Sequence, residues 1–233
     1  MRTHPPAQRT LPPGQRRIDG FPRFGTHLHQ PPPPVPDDPL ITINGAVSGP
    51  SEVRLADLSE LPRNEIVADF HCVAGWTASD LRWEGVRFAD FYRRFVEPVL
   101  EPGVTVTHLV FEGLDGAVSV VEMEDALAGD VLLAQRLNGR PLDGDHGAPI
   151  RLVSPAQYGY MSIKHLCVVE VCTALPTHRL GTGVIDRLLE GHLRARVWHE
   201  ERHGRIAGRL VRPFYRALIR PIRFLSAKGA QGK

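Results

Sequence analysis

The chain has 233 residues, enough for one sizeable domain with tails or for two small domains. Its composition, 42% apolar and 23% charged, is that of an ordinary globular protein and excludes a fibrous or wholly disordered chain. A formal net charge of +2 is too small to argue for a nucleic-acid partner.

The three cysteines, Cys72, Cys167 and Cys172, are too few and too odd in number for a disulfide framework. Cys167 and Cys172 sit five apart in "CVVEVC". In a strand that spacing sends them to opposite faces, so they read as small apolar residues of a buried strand. No stretch reaches transmembrane length, and Arg16-Arg17 is followed by no apolar signal region. The expected location is cytoplasmic.

Residues 1–39 are proline-rich and end in "PPPPVPDDP". They read as an extended linker, docked or mobile, with no helix or central strand. One piece resists the linker reading. "GQRRIDGFPRFG" carries Ile18, Phe21 and Phe24, enough to anchor it on a domain surface.

Ordered elements begin near Leu40. "LITING" alternates and ends in Asn-Gly, a strand entering a tight turn. "VRLADLSELP" reads as a strand end and a short helix stopped at Pro62. "EIVADFHCVA" reads as a strand with Cys72 at its C-terminal end. Phe88, Phe91, Tyr92 and Phe95 recur at helical spacing. "VTVTHLVFEG" and "GAVSVVEM" form a hairpin around "LDG". "VLLAQRL", "APIRLVSP" and "SIKHLCVVEV" are further strands. Short strands with irregularly placed helices, and no Rossmann or Walker loop, give a mixed-sheet α+β domain over 40–175.

From 176 to 233 the chain is expected to be a basic, mostly helical extension. Nine arginines and two glutamates lie between His192 and Leu225. Ile206, Leu210, Phe214, Leu218 and Ile222 repeat at i+4, with Leu225 following, an amphipathic stripe interrupted at Pro213 and Pro221. One reading packs this stripe on the domain with the arginines in water. The other rests a basic helix on an anionic membrane or an acidic partner.

Two clusters carry candidate chemistry. In "DFHCVAGW" the glycine lets the backbone turn and present Cys72, while His71 and Trp76 bring polar handles. A buried core thiol is the ordinary reading of such a cysteine. A thiolate there is also a soft metal ligand, or a nucleophile served by His146 or His165. A zinc site is a poor reading, because no second cysteine sits two to four residues from Cys72. The second cluster is "DHGAPIRLVSPAQYGYMSIKHL". Arg151 and Lys164 project from consecutive strands around a glycine-containing loop and suit an anionic group such as a phosphate.

Together these segments resemble the sulfite-oxidase-fold molybdopterin enzymes, in their small bacterial branch. The resemblance runs over roughly 40–172. It rests on the cysteine turn, on Trp83, Gly85 and Val86, on "LVFEGLDG", and on "NGRPLDGDHGAPIRLVSPAQYGYMSIKHL". It implies a molybdenum–molybdopterin cofactor with Cys72 as the one protein thiolate on the metal. It implies cofactor contacts from His71, Asp115, His146 and Arg151, and from Ser162, Ile163 and Lys164 near the phosphate. Tyr160 is expected beside the metal's open face with His71 and Trp76. "FPRFG" corresponds to an N-terminal stretch that lies over the pterin. The implied activity is oxygen-atom transfer to or from a small molecule, with electrons passed to a separate carrier. The alternatives are a cofactor-binding module without turnover, acting through a partner or membrane, and a metal-free cysteine hydrolase. The cysteine is not followed by the Gly-Asn-Arg-Arg of the eukaryotic enzymes, and no tyrosine in "VVEVCTALPTHR" takes the sulfite-site position. The substrate stays open.

Overall fold

The structure is a computed structural model; it describes residues 10–24, 31–177, 191–204, 206–217 and 219. Eleven strands among these residues form two sheets. The first joins β1 (Arg16–Ile18), β4 (Arg63–His71), β5 (Trp76–Arg87), β8 (Leu132–Leu137), β9 (Arg140–Pro141) and β10 (Arg151–Val153). The second runs β3-β2-β11-β6-β7, with β2 (Leu40–Gly45), β3 (Ser51–Arg54), β6 (His108–Gly113), β7 (Val118–Glu122) and β11 (Leu166–Cys172). Between the strands helix is short: α1 (Phe88–Phe91), a π turn over Tyr92–Val96, and α2 (Met123–Ala126); a longer helix over 208–217 follows the sheets.

The alternation in "LITING" puts Ile41 and Ile43 inside, where they meet Leu109 and Phe111 of β6 and Val169 and Val171 of β11 in one core. The Phe88–Phe91–Tyr92 face packs on that core as its spacing predicts. Strand β8 is buried on both sides. Leu133 faces this core, while Leu132 and Ala134 face a second one. That is why "VLLA" reads as a continuous apolar run rather than an alternation.

The second core lies on the other face of the first sheet. It contains Cys72, Trp76, Ala78, Leu81 and Trp83, and both ends of the chain cover it. Ile18, Phe21 and Phe24 come from the N-terminal segment, and Tyr215 and Ile219 from the C-terminal extension.

Residues 16–18, inside the piece that resists the linker reading, are a strand at the sheet edge pairing in parallel with Trp76–Ala78. Three other features differ from the sequence reading. The central strand β5, unassigned from sequence, is the longest; positive φ at Asp80 and a register shift at Gly85 break its alternation. Lys164 precedes β11 in a loop, because His165 at φ 53° delays the strand to Leu166. Cys167 and Cys172 are half-buried rather than core, Cys167 sitting at a register shift. All three cysteines are free.

The extension also departs from expectation. Residues 208–217 are helical through Pro213, which forgoes one backbone bond without ending the helix. Leu210 and Phe214 point outward, 69% and 63% exposed, instead of packing on the domain. Leu218, Ile222 and Leu225 of the same stripe lie outside the described residues. No helix among the described residues is long and apolar enough to cross a membrane.

Candidate functional site

Strand β4 carries Ile66, Ala68, Phe70 and Cys72 onto the face of the second core. Cys72 lies just past the strand, in a tight turn. Its N–H donates to the Trp76 carbonyl (2.9 Å), and its carbonyl accepts from Gly75 N–H (2.9 Å). Gly75 has φ +96°, and a Cβ there would stand 3.0 Å from the Gly14 carbonyl oxygen, so the turn requires glycine. Gln15 buttresses it from the N-terminal segment, its Nε2 donating to the Cys72 carbonyl (3.1 Å). Gln15 Oε1 accepts from Thr77 Oγ1 (3.1 Å), so Thr77 Oγ1 accepts in turn from His71 Nδ1 (2.9 Å). Burial lowers the His71 pKa and keeps the ring neutral. Cys72 is 4% exposed, and burial pushes its thiol up to about 12. Ionisation of this sulfur therefore needs a cation placed at it.

A packed aromatic cluster adjoins the turn. Phe21 packs against Phe70 (4.8 Å between ring centroids), Trp83 (5.8 Å) and His146 (4.9 Å). Phe24 meets Trp76 edge-on at 5.4 Å. Trp76 and Trp83 are fully buried, and neither indole N–H has a hydrogen-bond partner among the described residues. Each such orphaned donor costs about 1–3 kcal/mol, so two within one core mark places for polar acceptors.

Two cations stand at the far side. Arg151, the first residue of β10, is completely buried. Its guanidinium lies over Trp83 (5.2 Å) and Phe70 (5.4 Å) and donates to the carbonyls of His146 (3.0 Å) and Ser162 (2.9 Å). Lys164 Nζ donates to the carbonyls of Phe24 (3.1 Å) and Asp145 (2.9 Å). Burial, then the Arg151 charge, pulls Lys164 down to about 7. Burial alone pulls Arg151 down to about 9. Among the described residues no carboxylate pairs with either. A buried cation satisfied only by carbonyls is costly, and an anion placed between the two would relieve it. Arg23 extends the positive field from the N-terminal segment, 3.7 Å from Asp145. Gly147, at φ +103° and close against Lys164 and Arg151, lets the chain turn tightly here.

His146 is held by Asp143 at Nδ1 (2.7 Å) and faces the Phe21 carbonyl at Nε2 (2.8 Å). It borders an open cleft of about 500 Å³ lined also by Leu137, Arg140, Leu142 and Asp143. Asp115 accepts from Ala117 N–H (3.1 Å) in the β6–β7 turn, with Lys164 within its electrostatic reach. The Ser162 and Ile163 N–H groups are already bonded, to the carbonyls of Gly159 and Met161. What this segment offers to the cations is the Ser162 carbonyl.

Tyr160 packs on the first core, and its hydroxyl bonds the carbonyls of His192 (3.2 Å) and Arg202 (3.4 Å), anchoring the C-terminal extension. The tyrosine on the Cys72 cluster is Tyr215. Its hydroxyl is 2.6 Å from His203 Nε2, and the two rings are parallel. Fully buried Arg202 ties the pieces together. It reaches the Val73 carbonyl in the cysteine turn and the Pro13 carbonyl, lies over Tyr158 (5.1 Å), and pairs with Glu200 (3.4 Å). Glu200 in turn holds Arg212 of the helix. Glu200, Arg202, His203, Arg212 and Tyr215 lie outside both chemistry-bearing motifs of the sequence. The only signal was the dense arginine and histidine content after 191.

A thiol at the edge of an aromatic cluster, two indole donors without partners among the described residues and two cations bonded to carbonyls form the donor set for a flat, polar, phosphate-bearing group. Among the described residues no cluster of three or more His, Cys, Asp or Glu gathers to hold a metal without such a group. Residues 29–178 match the family described as "Oxidoreductase molybdopterin binding domain". The chain belongs to this family.

The molybdopterin-binding domain is similar to the uncharacterized oxidoreductase YuiH of Bacillus subtilis, 33% identical over 67% of this chain and 76% of that protein. It is similar to the mitochondrial sulfite oxidase of Homo sapiens, 32% identical over 64% of this chain but only 32% of the relative. Among solved structures it is similar to the sulfane dehydrogenase SoxCD of Paracoccus pantotrophus, with TM-score 0.52, 25% identity, and coverage of 62% of this chain and 40% of that one. The chain thus spans about a third of the sulfite oxidase it matches. The fold is the sulfite-oxidase type, the cofactor molybdenum–molybdopterin, and the chemical class oxidoreductase. The covering segments 10–24 and 191–217 fall outside the matched residues.

Proposed function

We propose that the domain holds molybdenum through Cys72 Sγ and carries out oxygen-atom transfer on a small sulfur oxyanion or S-oxide, exchanging electrons with a separate carrier. One observation carries this reading: Cys72, Trp76 and Trp83 share one buried core, the Arg151 guanidinium lies over Trp83, and Lys164 Nζ bonds the carbonyl of Phe24, which packs on Trp76.

When bound, the cofactor supplies the two-electron oxygen-atom chemistry. The chain supplies position and charge. The hydrogen bonds of the cysteine turn and the Gln15 amide fix the Cys72 backbone, so the sulfur is presented from a rigid element. Arg151 and Lys164 hold the terminal phosphate, and the carbonyls they now contact are the contacts it would share or replace. The indole N–H groups meet polar edges of the pterin. Phe21 and Phe24 close the cluster against water, which strengthens every charge interaction within it. Tyr215 Oη holds a proton at the Cys72 end, oriented by His203.

The relatives' names set the substrates to try. MsrP of Xanthomonas campestris, 26% identical over 58% of this chain, is a protein-methionine-sulfoxide reductase catalytic subunit. Molybdenum-loaded protein is assayed with one-electron dyes against sulfite, alkyl sulfoxides and N-oxides. Turnover on sulfite or a sulfoxide is expected. Turnover on N-oxides alone would contradict the substrate class, and silence across the panel would leave a binding module without catalysis.

A further inference from the structure

The helix over 208–217 has two working faces. Gly208, Val211, Arg212, Tyr215 and Ile219 turn inward at helical spacing, with Tyr215 and Ile219 on the Cys72 cluster and Arg212 on Glu200. Leu210, Pro213, Phe214 and Ala217 share the opposite face at i, i+3, i+4 and i+7, and all four are exposed. Leu210 and Phe214 are the two most exposed large apolar side chains described, ahead of Trp198 at 57% in the turn that carries Glu200. Arg209 and Arg216 stand exposed along the same helix.

The charge distribution says what such a face meets. Residues 202–233 hold seven arginines and two lysines and not one aspartate or glutamate. The rest of the chain therefore carries a formal −7 against the +2 of the whole. An acidic body with a wholly basic end orients that end toward a negative surface and turns the body away. A second copy of the chain would bring like charge against like charge at this face. Apolar side chains that alternate with arginines on an exposed helix bury their tips among acyl chains while the guanidiniums reach headgroup phosphates.

We propose that this face docks the protein peripherally on an anionic phospholipid surface. The helix then roofs the Cys72 cluster with one side and lies in the interface with the other. The cluster would stand about one helix diameter, roughly 10 Å, from the lipid. The proposal stands on exposure and charge, and does not depend on what Cys72 binds.

The test is flotation of the full-length protein with vesicles of phosphatidylglycerol in phosphatidylcholine, and with phosphatidylcholine alone. Binding is expected to the anionic vesicles only, to weaken as salt is raised, and to fall at least about tenfold in the double variant Leu210→Ser/Phe214→Ser. Both side chains are exposed, so the variant's thermal unfolding should match the parent's and separate lost docking from lost folding. Absence from the anionic vesicles would overturn the proposal, as would equal binding by parent and double variant. Self-association that the double variant abolishes, without vesicle binding, would assign the face to a second copy and overturn it too.

Discussion

Lys164 Nζ donates to the carbonyl of Phe24, 140 residues earlier in the chain, at 3.1 Å. The bond joins the N-terminal segment to the Arg151–Lys164 end of the candidate site. The ammonium is bonded to carbonyls and, among the described residues, forms no ion pair within salt-bridge distance.

That ammonium gives a pH prediction. Lys164 is pulled from 10.5 to about 7 by burial and by Arg151. Between those values the unfolded chain binds more protons at this side chain than the folded cofactor-free protein. The destabilising contribution is therefore full below about pH 7 and fades as pH rises toward 10.5. Lys164→Met should remove that slope from the melting temperature of cofactor-free protein. A phosphate beside the ammonium reverses the shift, so loading the cofactor near pH 8 should take up protons, measured by calorimetry in buffers of different ionisation enthalpy. Proton release, or an unchanged slope in the variant, would count against the assignment.

Trp83→Phe separates folding from binding. The change keeps the ring on Arg151 and removes an unsatisfied donor. Cofactor-free stability should stay within about 1 kcal/mol, because relief of the orphaned N–H offsets the smaller ring. Molybdenum retention should drop. Full retention with a large loss of stability would make Trp83 a packing residue only.

How much of this was legible turns on the range of the contacts. The alternation in "EIVADFHC" does place Phe70 and Cys72 on one face, and "DHGAPIR" with "SIKHL" does contain the cation pair. Those are local patterns. That Gln15, Phe21 and Arg202 converge on the cysteine turn leaves no periodic trace, because each contact spans dozens of residues or more. The extension shows a different limit. Periodicity detects an apolar face but does not choose between two, and in 208–217 Tyr215 and Ile219 go inward while Leu210 and Phe214 stay outside. The motif that holds Tyr160 gives no sign that its hydroxyl bonds the carbonyls of a segment more than 30 residues downstream.

Tyr215 is therefore the tyrosine to change. Tyr215→Phe keeps the ring against the Cys72 cluster and removes the hydroxyl that His203 holds. Turnover should fall by about 10²-fold at unchanged molybdenum content, with the pH profile altered. A parallel loss of molybdenum would show a structural role. Tyr160→Phe should instead loosen the extension, seen as faster proteolysis within 191–217.

The most direct test is the molybdenum content of Cys72→Ser, purified beside the parent from a molybdenum-replete host. The parent should carry about one molybdenum per chain, and the serine variant should lose it while keeping its fold, since Cys72 makes its turn through backbone groups. Full molybdenum in the variant would contradict Cys72 as the ligand.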